Sequence, residues 1–192
     1  MFTALLDTCV LWPSLQRNFL LSLAAEGMYR PAWSSAILEE LEYHETEKLI
    51  RRGEQEDKAA ARALFLIDQM RSAFDDAEIQ GWEGLEGTYG LPDPDDEHVL
   101  ASAVVAGAGA IVTHNTKDFP QSKVPNGIDV ISPAKFAENT VELDPLQAFD
   151  AVVAIAERFG RKGPPVTTDD VLDTLVERYG MTSAVRIMRQ AR

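Results

Sequence analysis

Short apolar runs alternate with longer stretches of helical spacing along this chain. Residues 2–6 read as a buried parallel strand, because a short apolar run ending on Asp7-Thr8 matches a strand that stops at the carboxyl edge of a sheet. Pro13 interrupts the pattern, and over residues 17–25 the positions Phe19, Leu20, Leu23 and Ala24 recur at helical spacing, with Gly27 as the stop. Residues 28–33 fit a second strand or its approach. Ser34 or Ser35 then caps a helix carrying Ile37, Leu38, Leu41 and His44 on one face. Gly53-Glu54 marks a break before a further helix over 57–74. The acid- and glycine-rich connection of residues 73–90 is anchored by Ile79, Trp82 and Leu85 and holds a short strand or turn.

The most legible segment is LPDPDDEHVLASAVVAGAGAIVTHN. Asp93 is an N-cap, Pro94 the first helical residue, acids fill the first turn, an Ala/Val face follows, and glycines end the helix before a strand over 110–113. Helix followed closely by strand is an α/β signal. A last strand, Asp129–Ile131, precedes Ser132-Pro133 and a helix start at 134–137. Residues 146–159 and 169–179 are again helical in spacing, joined by the turn GRKGPPVTTDD, which leads into a Thr/Asp cap. The expected division is an α/β domain over 1–138 and a helical extension over 139–192.

With 192 residues and 45% hydrophobic content, the chain can bury one full core and a modest appendage. Its net charge of −13 repels phosphate at long range, so any nucleic-acid chemistry must be local. From residue 151 onward the balance reverses, with seven basic residues against five acidic. Cys9 is the sole cysteine, which excludes an internal disulfide and a cysteine-based zinc site, and it reads as a small core residue. Neither a leader pattern nor a run of bilayer length is visible, so no membrane partner is expected and the cytoplasm is the default.

Four stretches bear the chemistry: LLDTCVL, SSAILEELEYH, LPDPDDEHVLASA and IVTHNTKDFP. In an open parallel sheet, ligands bind beyond the carboxyl ends of the strands. Asp7 after the first strand and Asn115 and Asp118 after a later one project there, while Glu40 and Asp96 lie near helix starts that can face the same crevice. Like charges about 4 Å apart cost roughly 4 kcal/mol per pair at an effective dielectric near 20, and a divalent cation is the simplest compensation. Oxygen donors without clustered His or Cys favour Mg²⁺ or Mn²⁺ and metal-assisted phosphodiester hydrolysis. Plainer readings stand beside these. Asp93 is better explained as a cap than as a ligand, acids such as Asp96 are favoured in any first turn, and Glu40 with Glu39 and Glu42 could be a solvated helix face. His44 and His98 read as core or supporting groups, and His114 should alternate away from its neighbours at the strand end. Thr8 and Thr113 are strand-end residues able to hydrogen-bond a carboxylate.

In this order and spacing the four motifs resemble the PIN-domain ribonucleases, and within them the VapC-type toxins of toxin–antitoxin modules, over residues 1–136. The resemblance implies a mostly parallel sheet flanked by helices and Mg²⁺- or Mn²⁺-dependent cleavage of RNA. It also implies a cognate antitoxin as partner and a homodimer. By motif, Asp7, Glu40, Asp96 and Asp118 would be catalytic and metal-coordinating, with Thr8, Asp93, Thr113 and Asn115 supporting. Asp93 and Asp95 compete with Asp96 for the third position, and Asn115 competes with Asp118 for the fourth. The helical extension is shared with a minority subgroup. An RNA enzyme this acidic requires a basic rim, expected from Arg30, Lys48, Arg51, Arg52 and the tail. The competing readings are an inactive PIN-like regulatory or binding module and a phosphoacceptor domain, which would want paired acids after its first strand.

Overall fold

A computed structural model describes residues 1–160 and 164–192. The glycine-, arginine- and lysine-bearing part of the predicted turn at 161–163 lies outside the described residues. Five strands form one parallel sheet: β1 (Thr3–Leu6), β2 (Arg30–Ser34), β3 (Glu78–Ile79), β4 (Ala110–Val112) and β5 (Asp129–Ile131), in the order β3-β2-β1-β4-β5. β1 is central, with Leu5 opposite Ala32 of β2 and Ile111 of β4. All four of its residues are buried, as expected for a strand covered on both faces. The chain runs outward from β1 to β3 and then returns to place β4 on the other side of β1. The β1/β4 boundary is therefore the topological switch point, where this class of sheet opens a crevice.

Helices cover both faces: α1 (Thr8–Leu11), α2 (Ser14–Ala25), α3 (Ser35–Arg51), α4 (Glu56–Ala73), α5 (Glu97–Val105) and α6 (Pro133–Val141). Ser34 caps α3 by accepting the Ile37 N–H at 3.2 Å, and Ser132 caps α6 by accepting that of Lys135 at 3.2 Å. In α5 the run from Val99 to Ala103 is completely buried, so the helix is core on every side and not only on one Ala/Val face. Two helices have no counterpart in the sequence reading: α1, and the helix Thr182–Ala191 at the end of the chain.

The extension comprises α7 (Pro145–Gly160), α8 (Thr168–Tyr179) and α9 (Thr182–Ala191). α7 lies on α2, where Gln147 Nε2 donates to the Glu26 carbonyl at 2.8 Å, and α9 lies on α6. Ala148, Val152, Ile155, Val171, Leu175, Val185 and Met188 join the same buried cluster as the sheet residues. The apolar faces of the tail thus pack back onto the α/β body. α8 starts with a capping box, Thr167 and Asp170 exchanging hydrogen bonds, and stops at Gly180, whose φ of +66° suits the left-handed cap. Among the described residues, no helix is long and apolar enough to cross a membrane.

Candidate active site

At the end of β1 the Asp7 N–H donates to the Val112 carbonyl at 3.1 Å, locking the two strand ends at the switch point. Asp7 then turns the chain into α1 with an extended backbone, leaving its carboxylate at the sheet edge, only 5% exposed. Thr113, fully buried one residue beyond β4, donates to Asp7 Oδ2 at 2.6 Å, and Cys9 Sγ donates to the same oxygen at 3.1 Å. Thr113 Oγ1 in turn accepts the Asn115 N–H at 2.9 Å, and the Asp118 N–H donates to the Asn115 carbonyl at 3.0 Å. Asn115 therefore shapes the loop through its backbone, and the 3-10 turn Thr116–Asp118 presents Asp118, partly buried, beside the strand ends.

From the opposite side, α3 brings Glu40. Thr8 Oγ1 donates to Glu40 Oε2 at 2.5 Å, and His98 Nε2 lies 3.2 Å from Glu40 Oε1. Burial works to raise the Glu40 carboxyl, but hydrogen bonds from His98 and Thr8 outweigh it and hold the group below its ordinary value. For His98 the balance is the mirror image: burial lowers it, and the bond to Glu40 with the charges of Glu40 and Asp7 raises it further. Both Glu40 oxygens are thus engaged.

The acids at 93–97 are sorted by their backbone partners. Asp93 caps, its Oδ1 accepting the Asp95 N–H at 3.0 Å, with Pro94 opening a 3-10 turn ahead of α5. Glu97, 2% exposed, accepts the N–H groups of Tyr89 at 3.1 Å and Leu91 at 2.8 Å. Burial favours its protonation, yet these donors keep it below the usual range, so it pins the preceding loop. Asp95 is exposed. Asp96 remains, half-buried, with its carboxyl pushed up to about 6 by burial and then by the charges of Asp7, Asp118 and Asp93. Of the acids proposed from sequence, Asp7 and Asp118 therefore bear on Asp96.

Among the described residues, no three His, Cys, Asp or Glu side chains are drawn close enough to hold an ion as they stand. The donor chemistry nevertheless fits a hard divalent cation: the acids offer only oxygen, and the raised Asp96 carboxyl registers repulsion that a cation would relieve. Cys9 is a poor nucleophile, its thiol pushed up to about 12 by burial and by Asp7. His98, read as a core or supporting group, and Cys9, read as a core residue, acquire partners that sequence reading did not assign. No local pattern marks them, since each is defined by a partner brought in by the fold. One expected rim residue is misplaced: Arg30 opens β2 at the amino edge of the sheet, opposite the site, and is bound to Asp76 at 2.7 Å. Counting charges cannot tell one end of a strand from the other.

A family model described as the PIN domain matches residues 3–117, well over half of the chain. No curated protein and no solved structure matches it.

Proposed function

Since the chain belongs to the PIN-domain family, whose members are generally metal-dependent nucleases, we propose that it is a Mg²⁺- or Mn²⁺-dependent endoribonuclease. We read it further as the VapC-type toxin of a type II toxin–antitoxin module, acting in the cytoplasm, with residues 1–138 as the nuclease unit and 139–192 as a helical extension. Its partners on this reading are RNA, a cognate antitoxin and a second copy of the chain. The observation that carries the proposal is the set of acids at the β1/β4 switch point, where Asp7 is held by Thr113 and where burial, and then the charges of Asp7, Asp118 and Asp93, bring Asp96 to about 6.

Asp7, Asp96 and Asp118, with Glu40 beside them, would hold the cation. Bound there, it supplies charge neutralisation for a phosphodiester and acidifies an attacking water. The chain's own residues prepare the place. Thr113 and Cys9 both donate to Asp7 Oδ2, which fixes the carboxylate's plane and leaves its other oxygen for the cleft. Thr8 and His98 hold Glu40 ionised and oriented. Asp93 and Glu97 set the start of α5 and so aim Asp96.

The test is cleavage of mixed RNA with Mg²⁺ or Mn²⁺ by the wild type, Asp7→Asn and Asp96→Asn. The nuclease reading expects cutting by the wild type alone, lost in EDTA. An inactive regulatory module predicts that none of the three cuts. For the toxin role, expression should arrest growth and Asp7→Asn should relieve the arrest; undisturbed growth with an RNA-cutting wild type would remove that role and leave the nuclease.

A further inference from the structure

α3 leads away from the acidic cleft with a row of side chains at successive turns: Glu40, His44, Lys48 and, just past the helix, Arg52. The row is about 18 Å long at the usual helical rise. His44 bears on the Glu40 carboxylate. Trp12, at the end of α1, is fastened to this row: its Nε1 donates to the His44 carbonyl at 3.3 Å, and the two rings meet edge to face at 6.3 Å. Lys48 Nζ stands 5.9 Å from the centre of the indole, which is 40% exposed. Beyond it, Trp12, Lys48 and Arg52 share one concavity with Phe159 of α7 and Arg178 and Tyr179 of α8.

This concavity is an electrostatic exception in a chain of net charge −13. No acidic residue lines it. Lys48 does bind Glu45 at 2.5 Å, but that buried carboxylate is shared with Arg17 at 3.0 Å, so the trio keeps a positive excess. Arg52 and Arg178 are exposed and, among the described residues, form no ion pair. Arg51, by contrast, turns to Glu47 at 3.7 Å and does not line the groove.

We propose that the groove is a binding track for single-stranded RNA, running from the acidic cleft over α3 to the C-terminal helices, which complete it. This rests on the nuclease reading for its direction, since the track begins at Glu40. Lys48, Arg52 and Arg178 meet phosphates, and Trp12 offers a face on which an unpaired base stacks. Aromatic platforms interleaved with cations favour single strands, because a duplex keeps its base faces covered. The acidic surface elsewhere confines phosphate to this path.

The track is tested by anisotropy with a labelled oligonucleotide of about 12 nucleotides, in EDTA so that nothing is cut. Trp12→Ala should weaken binding about tenfold, and Trp12→Phe should restore part of it. The double change Arg52→Ala, Arg178→Ala should lower the slope of log affinity against log salt by about 1.4. Arg30→Ala removes a charge at the far edge of the sheet and should leave affinity unchanged. Wild type that fails to bind, or variants that bind as the wild type does, would overturn the track. So would equal displacement by polyglutamate, which would assign the groove to an acidic polypeptide, or a preference for duplex. Binding that is weakened as expected in a chain that cuts nothing with Mg²⁺ or Mn²⁺ would support the track and defeat the nuclease. Cutting by a chain whose groove variants bind normally would do the reverse.

Discussion

Asp96→Asn should stabilise the metal-free protein while abolishing cleavage. The Asp96 carboxyl moves from an ordinary 3.8 to about 6, because folding half-buries it and sets it near Asp7, Asp118 and Asp93. A difference of about 2 pH units corresponds to about 3 kcal/mol opposing folding once the group is ionised in both states. Solvent reaches the side chain and screens part of this, so about 1–2 kcal/mol is the usable figure. The proton is held more tightly in the folded state, so the penalty is complete above about pH 7 and shrinks as pH falls through 6. It is gone below about 4, where the unfolded chain is protonated too. Asn fills the same volume without charge. In EDTA at pH 7.5 the variant should therefore melt about 2–6 °C above the wild type, and the gap should close as the pH approaches 4. Added Mg²⁺ should close it from the other side, by stabilising the wild type. Calorimetry in EDTA across this pH range decides the matter: a variant that is no more stable, or a difference that ignores pH, would refute the account of crowded charge.

Thr113→Val keeps the side-chain shape but removes the donor to Asp7 Oδ2 and the acceptor for the Asn115 N–H. Chemical denaturation should show a loss of about 1–3 kcal/mol, and a neutral result would mean that water replaces both bonds. The single thiol, pushed up to about 12 from 9.0, should react with iodoacetamide at pH 8 about a thousandfold more slowly in the native chain than in urea. Mass spectrometry reads this directly, and a native rate equal to the unfolded rate would place Cys9 outside the buried contact with Asp7. Ile155→Ala, at a position 1% exposed in α7, should cost about 2–4 kcal/mol within one cooperative transition. A separate low-temperature transition would instead make the extension an independent unit.

What the chain discloses before folding is set by the range of the forces involved. β1 announces itself because Ala4, Leu5 and Leu6 form the unbroken apolar run of a doubly covered strand, and α3 and α8 because Ser34 and Thr167 satisfy N–H groups within three residues of themselves. α1 is four residues long, too short for any period to emerge. α9 follows Met181 without a side-chain cap, so no start signal marks it, although Ala184, Val185 and Met188 recur at helical spacing along the face that meets α6. The site divides in the same way. The placement of Asp7 at a strand end and of Asp93-Pro94 at a helix start could be read, because both are local signals. The contacts that orient them could not: Thr113 reaches Asp7 across 106 residues and Thr8 reaches Glu40 across 32.

The four acids at 93, 95, 96 and 97 show how the fold assigns roles that spacing leaves open. Each carboxylate near a helix start has nearby N–H groups to bind, and a carboxylate so bound loses freedom to face a ligand. Asp93 takes the Asp95 N–H, Glu97 takes those of Tyr89 and Leu91, and Asp95 is turned to solvent. Asp96 alone is left to meet Asp7 and Asp118, and its raised carboxyl is the cost of that position. Were Asp96 simply another helix-start acid, the favourable dipole would lower it. The dipole effect amounts to only about 0.3–1 kcal/mol, so a displacement upward to about 6 means that repulsion from neighbouring acids and burial outweigh it. This upward shift supports the proposal that Asp96 faces the cation, whereas Asp93 and Glu97 spend their oxygens on backbone N–H groups.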